Sequence, residues 1–157
     1  MVKGYRPDSL SEALKICKEH DTTIIAGGTD LMVQKARGTG IKPKLQNLPL
    51  FVNDIAELNK IKSDHKNIKI GACVTLSELL ENPIAPEPLV KAIEKMAAVP
   101  TRNIATLGGN ICNASPAGDT LPYLYAVDAK LLLKSHSSER KVSILNFITG
   151  PGQIDLK

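Results

Sequence analysis

Stretches whose apolar residues fall three or four apart alternate along the chain with short runs of consecutive β-branched or apolar residues. Leu10, Ala13, Leu14 and Cys17 share one helical face, behind Asp8 or Ser9 as a cap and Glu12 at the capping-box position. Thr22-Thr23-Ile24-Ile25 follows as a short buried strand and stops at Ala26-Gly27-Gly28. Thr29 or Asp30 opens a second short helix to about Lys35, and residues 44–48 form the next strand. Strand, helix and strand in this order predict a parallel βαβ unit.

Past residue 54 the pattern changes. Residues 57–61 and 68–74 read as a hairpin turned by Asp64-His65-Lys66-Asn67. Thr75, with Glu78 three residues on, predicts a capped helix to about Glu81. Pro83, Pro86 and Pro88 make an irregular connection, and residues 89–98 then have helical spacing. Residues 104–119, rich in small side chains, read as a loop. Pro122 starts a helix to about Val127, and residues 130–134 and 140–144 form a last hairpin. The class is α+β, with an N-terminal βαβ subdomain over 1–54 and a second α+β subdomain over 55–157.

Composition narrows this picture. With 157 residues, 43% hydrophobic and 23% charged, the chain is an ordinary globular sequence of one domain or two small subdomains sharing a core. It has no tryptophan, so Ile, Leu, Val and Ala must fill the interior. The net charge is +4, but the lysines (15, 18, 42, 44, 60, 62, 66 and 69 among them) make no stripe with interleaved aromatics, which argues against a nucleic-acid partner. Cys17, Cys73 and Cys112 are far apart and form no Cys-x-x-Cys pair, which argues against zinc or iron–sulfur ligation in this chain and fits a reducing compartment. No apolar run has membrane-spanning length, and the residues from Met1 to Pro7 lack a signal-peptide core; the expected location is cytoplasmic.

Candidate chemistry lies in two glycine-rich segments. Ala26-Gly27-Gly28-Thr29-Asp30-Leu31 follows a strand and opens a helix, where free N–H groups suit phosphate oxygens and Thr29 adds a hydroxyl. The plainer reading is a tight turn with Asp30 as a helix cap. Thr106-Leu107-Gly108-Gly109-Asn110, followed by Asn113-Ala114-Ser115-Pro116-Ala117-Gly118-Asp119, offers backbone donors, hydroxyls, amides and one carboxylate, a set able to wrap a diphosphate and a ribose. The plainer reading here is a structural loop with Asp119 or Thr120 capping the next helix. Neither segment has the Gly-x-Gly-x-x-Gly or P-loop pattern. His20, His65 and His136 have polar neighbours and read as solvated, Cys112 as a small buried residue, and Tyr123 and Tyr125 as packing groups.

Together, at their spacing, the two segments resemble the paired FAD motifs of the FAD-binding (medium) subunits of molybdopterin dehydrogenases, the xanthine dehydrogenase and carbon monoxide dehydrogenase flavoprotein family. The likeness extends to Tyr5-Arg6-Pro7, Ile70-Gly71-Ala72, Arg102-Asn103-Ile104-Ala105 and Gly150-Pro151-Gly152. It implies a two-subdomain FAD-binding fold of the vanillyl-alcohol-oxidase / p-cresol-methylhydroxylase type. Residues 26–31 (Ala26, Gly27, Gly28, Thr29, Asp30, Leu31) would hold the FAD diphosphate through backbone amides. Thr106, Gly109 and Asn110 would approach the diphosphate and flavin side, and Asn113 and Asp119 the ribose or ribityl portion.

The same resemblance implies an electron-transfer subunit with no general acid or base. Its partners would be a molybdopterin-binding large subunit and a [2Fe–2S] small subunit, with NAD or another acceptor downstream. Family members continue beyond Lys157 with a further strand that encloses the flavin and a C-terminal domain of roughly a hundred residues. The chain therefore reads as C-terminally truncated relative to the family, or as completed by another chain, with reduced FAD affinity when isolated. The competing reading is a family fragment without FAD that acts as an assembly or interaction module.

Overall fold

The computed structural model describes residues 4–41, 43–64 and 66–156. The expectations for Met1 to Lys3, Lys42 and His65 fall outside them. Helix α1 (Leu10–Glu19) starts where expected: Ser9 accepts the Glu12 N–H at 3.2 Å, and the Glu12 carboxylate reaches back to the Asp8 N–H at 3.1 Å. Strand β1 (Thr22–Ile25), helix α2 (Thr29–Gln34) and strand β2 (Leu48–Phe51) make the parallel βαβ unit, with Ile24 opposite Leu50. β2 begins four residues later than the expected 44–48 and shares only Leu48 with it. Proline lowers the strand expectation there, yet Pro49 serves the sheet through its carbonyl, which accepts from Tyr5 N at 2.8 Å. Leu50, beside it, is fully buried. Ala13, Leu50, Val52, Ile55 and Cys73 form a first apolar cluster, against which Leu10 and Ile16 of α1 pack.

The second strand group is shorter than expected. Residues 56–58 form a 3₁₀ turn (Ala56–Leu58) because Asn59 donates to the Asn53 and Ile55 carbonyls at 2.7 and 2.9 Å. The hairpin is confined to β3 (Ile61–Ser63) and β4 (Ile68–Ile70). Asp64 closes its turn by accepting from the Lys66 and Asn67 N–H groups, which hold its carboxyl below the usual range. Helix α3 (Leu76–Glu81) carries the full capping box between Thr75 and Glu78. Helix α4 (Glu87–Glu94) ends before the expected Ala98, since Ala97 turns to φ 45°, and a separate turn, α5 (Val99–Arg102), follows. Arg102 holds that reversal, donating to the Met96 and Ala97 carbonyls at 2.9 and 2.7 Å.

Helix α6 (Leu107–Asn113) occupies part of the stretch expected to be a loop. α7 (Leu121–Ala126), the hairpin β5 (Lys130–Lys134) with β6 (Glu139–Ser143), α8 (Ile144–Phe147), and the short pair β7 (Ile148–Gly150) and β8 (Gln153–Ile154) complete the order. Five short helices, α3, α4, α6, α7 and α8, each give the second cluster two residues three or four apart: Leu76 and Leu79, Leu89 and Ile93, Leu107 and Ile111, Leu121 and Leu124, Ile144 and Phe147. Helices this short are unstable alone. Burial of such side chains, about 1.5–3 kcal/mol each, is what holds them. Among the described residues no helix is long and apolar enough to cross a membrane.

Candidate functional site: two glycine segments brought together

The first segment turns sharply out of β1. Gly28 has φ 72°, a left-handed conformation that disfavours any residue with a Cβ, and it occupies the cap position of α2. Neither Thr29 nor Asp30 caps the helix; both lie within its first turn. The N–H groups of Thr29, Asp30 and Leu31 have no acceptor inside the helix, and among the described residues no side chain caps it. Gly27 lies against the approach to the second segment: a Cβ there would stand 2.0 Å from the Ile104 carbonyl oxygen. The chain thus crosses itself backbone to backbone between the two motifs.

The second segment is a helix because its cap and its first amides are tied to the protein. Thr75 and Thr106, the caps of α3 and α6, form an antiparallel bridge, with Leu76 N–H donating to the Ala105 carbonyl at 2.9 Å and Leu107 N–H to Val74 at 3.0 Å. Gly108 N–H donates to the Ala72 carbonyl at 2.9 Å, and Gly109 N–H to the buried Thr106 hydroxyl at 3.1 Å. The first-turn amides of α6 are therefore engaged, unlike those of α2. The two glycines also differ. A Cβ on Gly108 would meet the Ala72 carbonyl oxygen at 2.6 Å, whereas Gly109 is exposed and only the Thr106 hydroxyl stands near. Gly71 repeats the device against Leu58 O, at 2.1 Å.

Side chains complete the junction. Asn113 donates to the Asp30 carboxylate at 2.9 Å and accepts from Gln34 Nε2 at 3.0 Å, so residues 83 and 79 positions apart meet. The Asn110 amide oxygen accepts from the Thr120 hydroxyl. That bond, and not a cap, is the role of Thr120, which sits fully buried at the start of α7. Asp119 and Asp30 are exposed, and Ala26, Thr29 and Leu31 are half-buried. Ser115 accepts from Ala117 N–H at 3.3 Å. A groove of about 380 Å³ continues from this segment, between Ala114 to Pro116, Gly118, Leu121 and Tyr125 on one side and Ile148 to Pro151 on the other. Sequence reasoning passed over Gln34 and gave Thr120 only a capping role. For Gln34 a signal existed, since it follows Asp30 by four residues and shares its helix face; for the bond from Thr120 to Asn110 there was none.

The remaining candidates fall outside the junction. His20 is exposed and stacks on Tyr5 with ring centres 5.2 Å apart, and His136 is exposed. Tyr123 and Tyr125 pack on the second cluster. Cys112, expected to be buried, is exposed, although the protein around its thiol still raises its pKa. It sits on α6, whose buried face belongs to Leu107 and Ile111. Cys73 is the buried thiol: it donates to the Val52 carbonyl, and burial, with Asp54 nearby, pushes its pKa up to about 11.

An uncapped helix start, an open glycine, fixed amides and an adjoining groove suit a long ligand with an anionic bridge, and define an α+β domain that binds a dinucleotide cofactor. The chain belongs to the FAD-binding domains of molybdopterin dehydrogenases, whose family model matches residues 1–157. It is 30% identical over 158 residues to a putative xanthine dehydrogenase FAD-binding subunit of Escherichia coli, covering 98% of this chain and 53% of that protein. It is 33% identical over 153 residues to the glyceraldehyde dehydrogenase medium chain of Sulfolobus acidocaldarius, covering 96% and 53%. Among solved structures, carbon monoxide dehydrogenase from Hydrogenophaga pseudoflava superposes with a TM-score of 0.86 at 26% identity, over 99% of this chain and 54% of that one. Quinoline 2-oxidoreductase from Pseudomonas putida gives 0.85 at 26%, over 98% and 54%. The chain thus spans about half the length of the relatives it matches. The cofactor of the family is FAD.

Proposed function

We propose that the chain is the FAD-binding part of a molybdenum hydroxylase, in a two-subdomain arrangement of the vanillyl-alcohol-oxidase type divided near residue 54, and working in the cytoplasm. The observation that carries this reading is the convergence of the two glycine segments, with Gly27 against Ile104 and Asp30 against Asn113. The first-turn amides of α2 would take the diphosphate. Gly109, with its open face, would let the cofactor approach α6. Asn110, whose oxygen is already held by Thr120, would offer its N–H hydrogens, and Asn113, whose oxygen and nitrogen are both engaged by the protein, its second N–H hydrogen. Asp119, exposed beside the groove, would accept from a hydroxyl. Thr106 would act through the cap it makes on Gly109 N–H.

Bound FAD would supply redox exchange between the [2Fe–2S] clusters of a small subunit, themselves fed by a molybdopterin-binding large subunit, and NAD or another acceptor. The protein's own part is to bind and orient; no side chain at the junction is needed as a general acid or base. Titration of the purified chain with FAD, followed by visible absorbance and by quenching of flavin fluorescence, tests the reading. Saturable one-to-one binding is expected. No saturable binding would favour instead an assembly module without flavin.

A further inference from the structure

Gln34 joins the two glycine segments from outside both. It ends α2 four residues after Asp30, on the same helix face. Its Nε2 donates to Asn113 Oδ1 at 3.0 Å, and Asn113 Nδ2 donates to Asp30 Oδ2 at 2.9 Å. The Asn113 amide therefore sits between a donor and a group that only accepts, and it fits one way round. Reversed, it would set NH₂ against NH₂ and oxygen against a carboxylate. We propose that Gln34 is a positioning residue for the flavin site. With Asp30 it fixes the orientation of the Asn113 amide, ties α2 to the end of α6 and sets the direction in which the second Nδ2 hydrogen of Asn113 meets the cofactor. The inference rests on the FAD reading above.

Three substitutions in the full chain separate this role from simple packing. Gln34→Leu removes the donor, Gln34→Lys keeps one, and Gln34→Glu sets an acceptor against Asn113 Oδ1. The FAD dissociation constant should rise about fivefold in Gln34→Leu and about tenfold in Gln34→Glu, and stay within about twofold in Gln34→Lys, the range expected for one hydrogen bond. In the absence of FAD, amide hydrogen exchange in α2 should quicken in the Leu and Glu variants alone. FAD constants that do not follow this donor–acceptor order, whether all near wild type or equally weakened, would overturn the positioning role while leaving the flavin reading intact. Absence of saturable FAD binding in the wild-type chain would overturn both.

Discussion

Gly27 and Gly108 are glycines for a reason that has nothing to do with ligands: a carbonyl oxygen occupies the place of the missing Cβ, from Ile104 in one case and Ala72 in the other. Gly27→Ala and Gly108→Ala should each cost about 3 kcal/mol or abolish folding, because the obstructing atoms are backbone. Gly109→Ala should cost about 1–2 kcal/mol, less than the other two, because it presses on the Thr106 hydroxyl that caps α6 and not on backbone, yet it should weaken FAD binding. Urea unfolding compared with flavin titration checks the contrast. From the sequence these glycines looked alike; only the neighbours brought by the fold distinguish them.

The cysteines separate in the same way. Cys73 should resist alkylation in the folded chain, while Cys17 reacts first and Cys112, exposed but with a raised pKa, more slowly. Because folding raises the Cys73 pKa from 9.0 to about 11, its contribution to stability is fully present below pH 9 and is lost as pH climbs through 11. A Cys73→Ala variant should lose that alkaline slope in urea unfolding, and an unchanged slope would show that other groups cause it.

At the scale of elements, caps decide where the short helices begin. Thr75 and Glu78 were legible in the sequence because a capping box is a local code, and α3 begins where they place it. Thr106 caps α6 without such a local signature. Leu107-Gly108-Gly109-Asn110 has two glycines, each about 1 kcal/mol unfavourable in a helix, and so reads as loop. Burial of Leu107 and Ile111 overrides that propensity. Thr75→Ala should lower stability by about 1 kcal/mol. Thr106→Ala should lower it by about 2 kcal/mol, because Thr106 is only 3% exposed and water cannot easily replace it. Denaturant unfolding of the two variants measures the difference.

Across the whole molecule, two apolar clusters are held together by backbone crossings at Gly27, Gly71 and Gly108. Unfolding of one cluster should therefore carry the other with it. Ile55→Ala in the first cluster and Phe147→Ala in the second should each cost about 3–4 kcal/mol, and each should leave a single transition, coincident by far-ultraviolet circular dichroism and by exposure of Cys73. Two separate transitions would show that the clusters unfold independently.

What the sequence settled by itself was local: the βαβ order, the capped helix at Thr75, the hairpin at residues 130–143 and the two glycine motifs, each readable from spacing, capping residues or residue type within a few positions. The tertiary structure decided what depends on distant partners. It placed β2 across Pro49, made a helix of the stretch after Thr106, and divided the glycines into those that let backbones cross and one that faces outward. It also joined Asp30, Gln34 and Asn113. Such pairings arise because burial and hydrogen bonding act between groups that share space, and no pattern along the chain encodes which groups will.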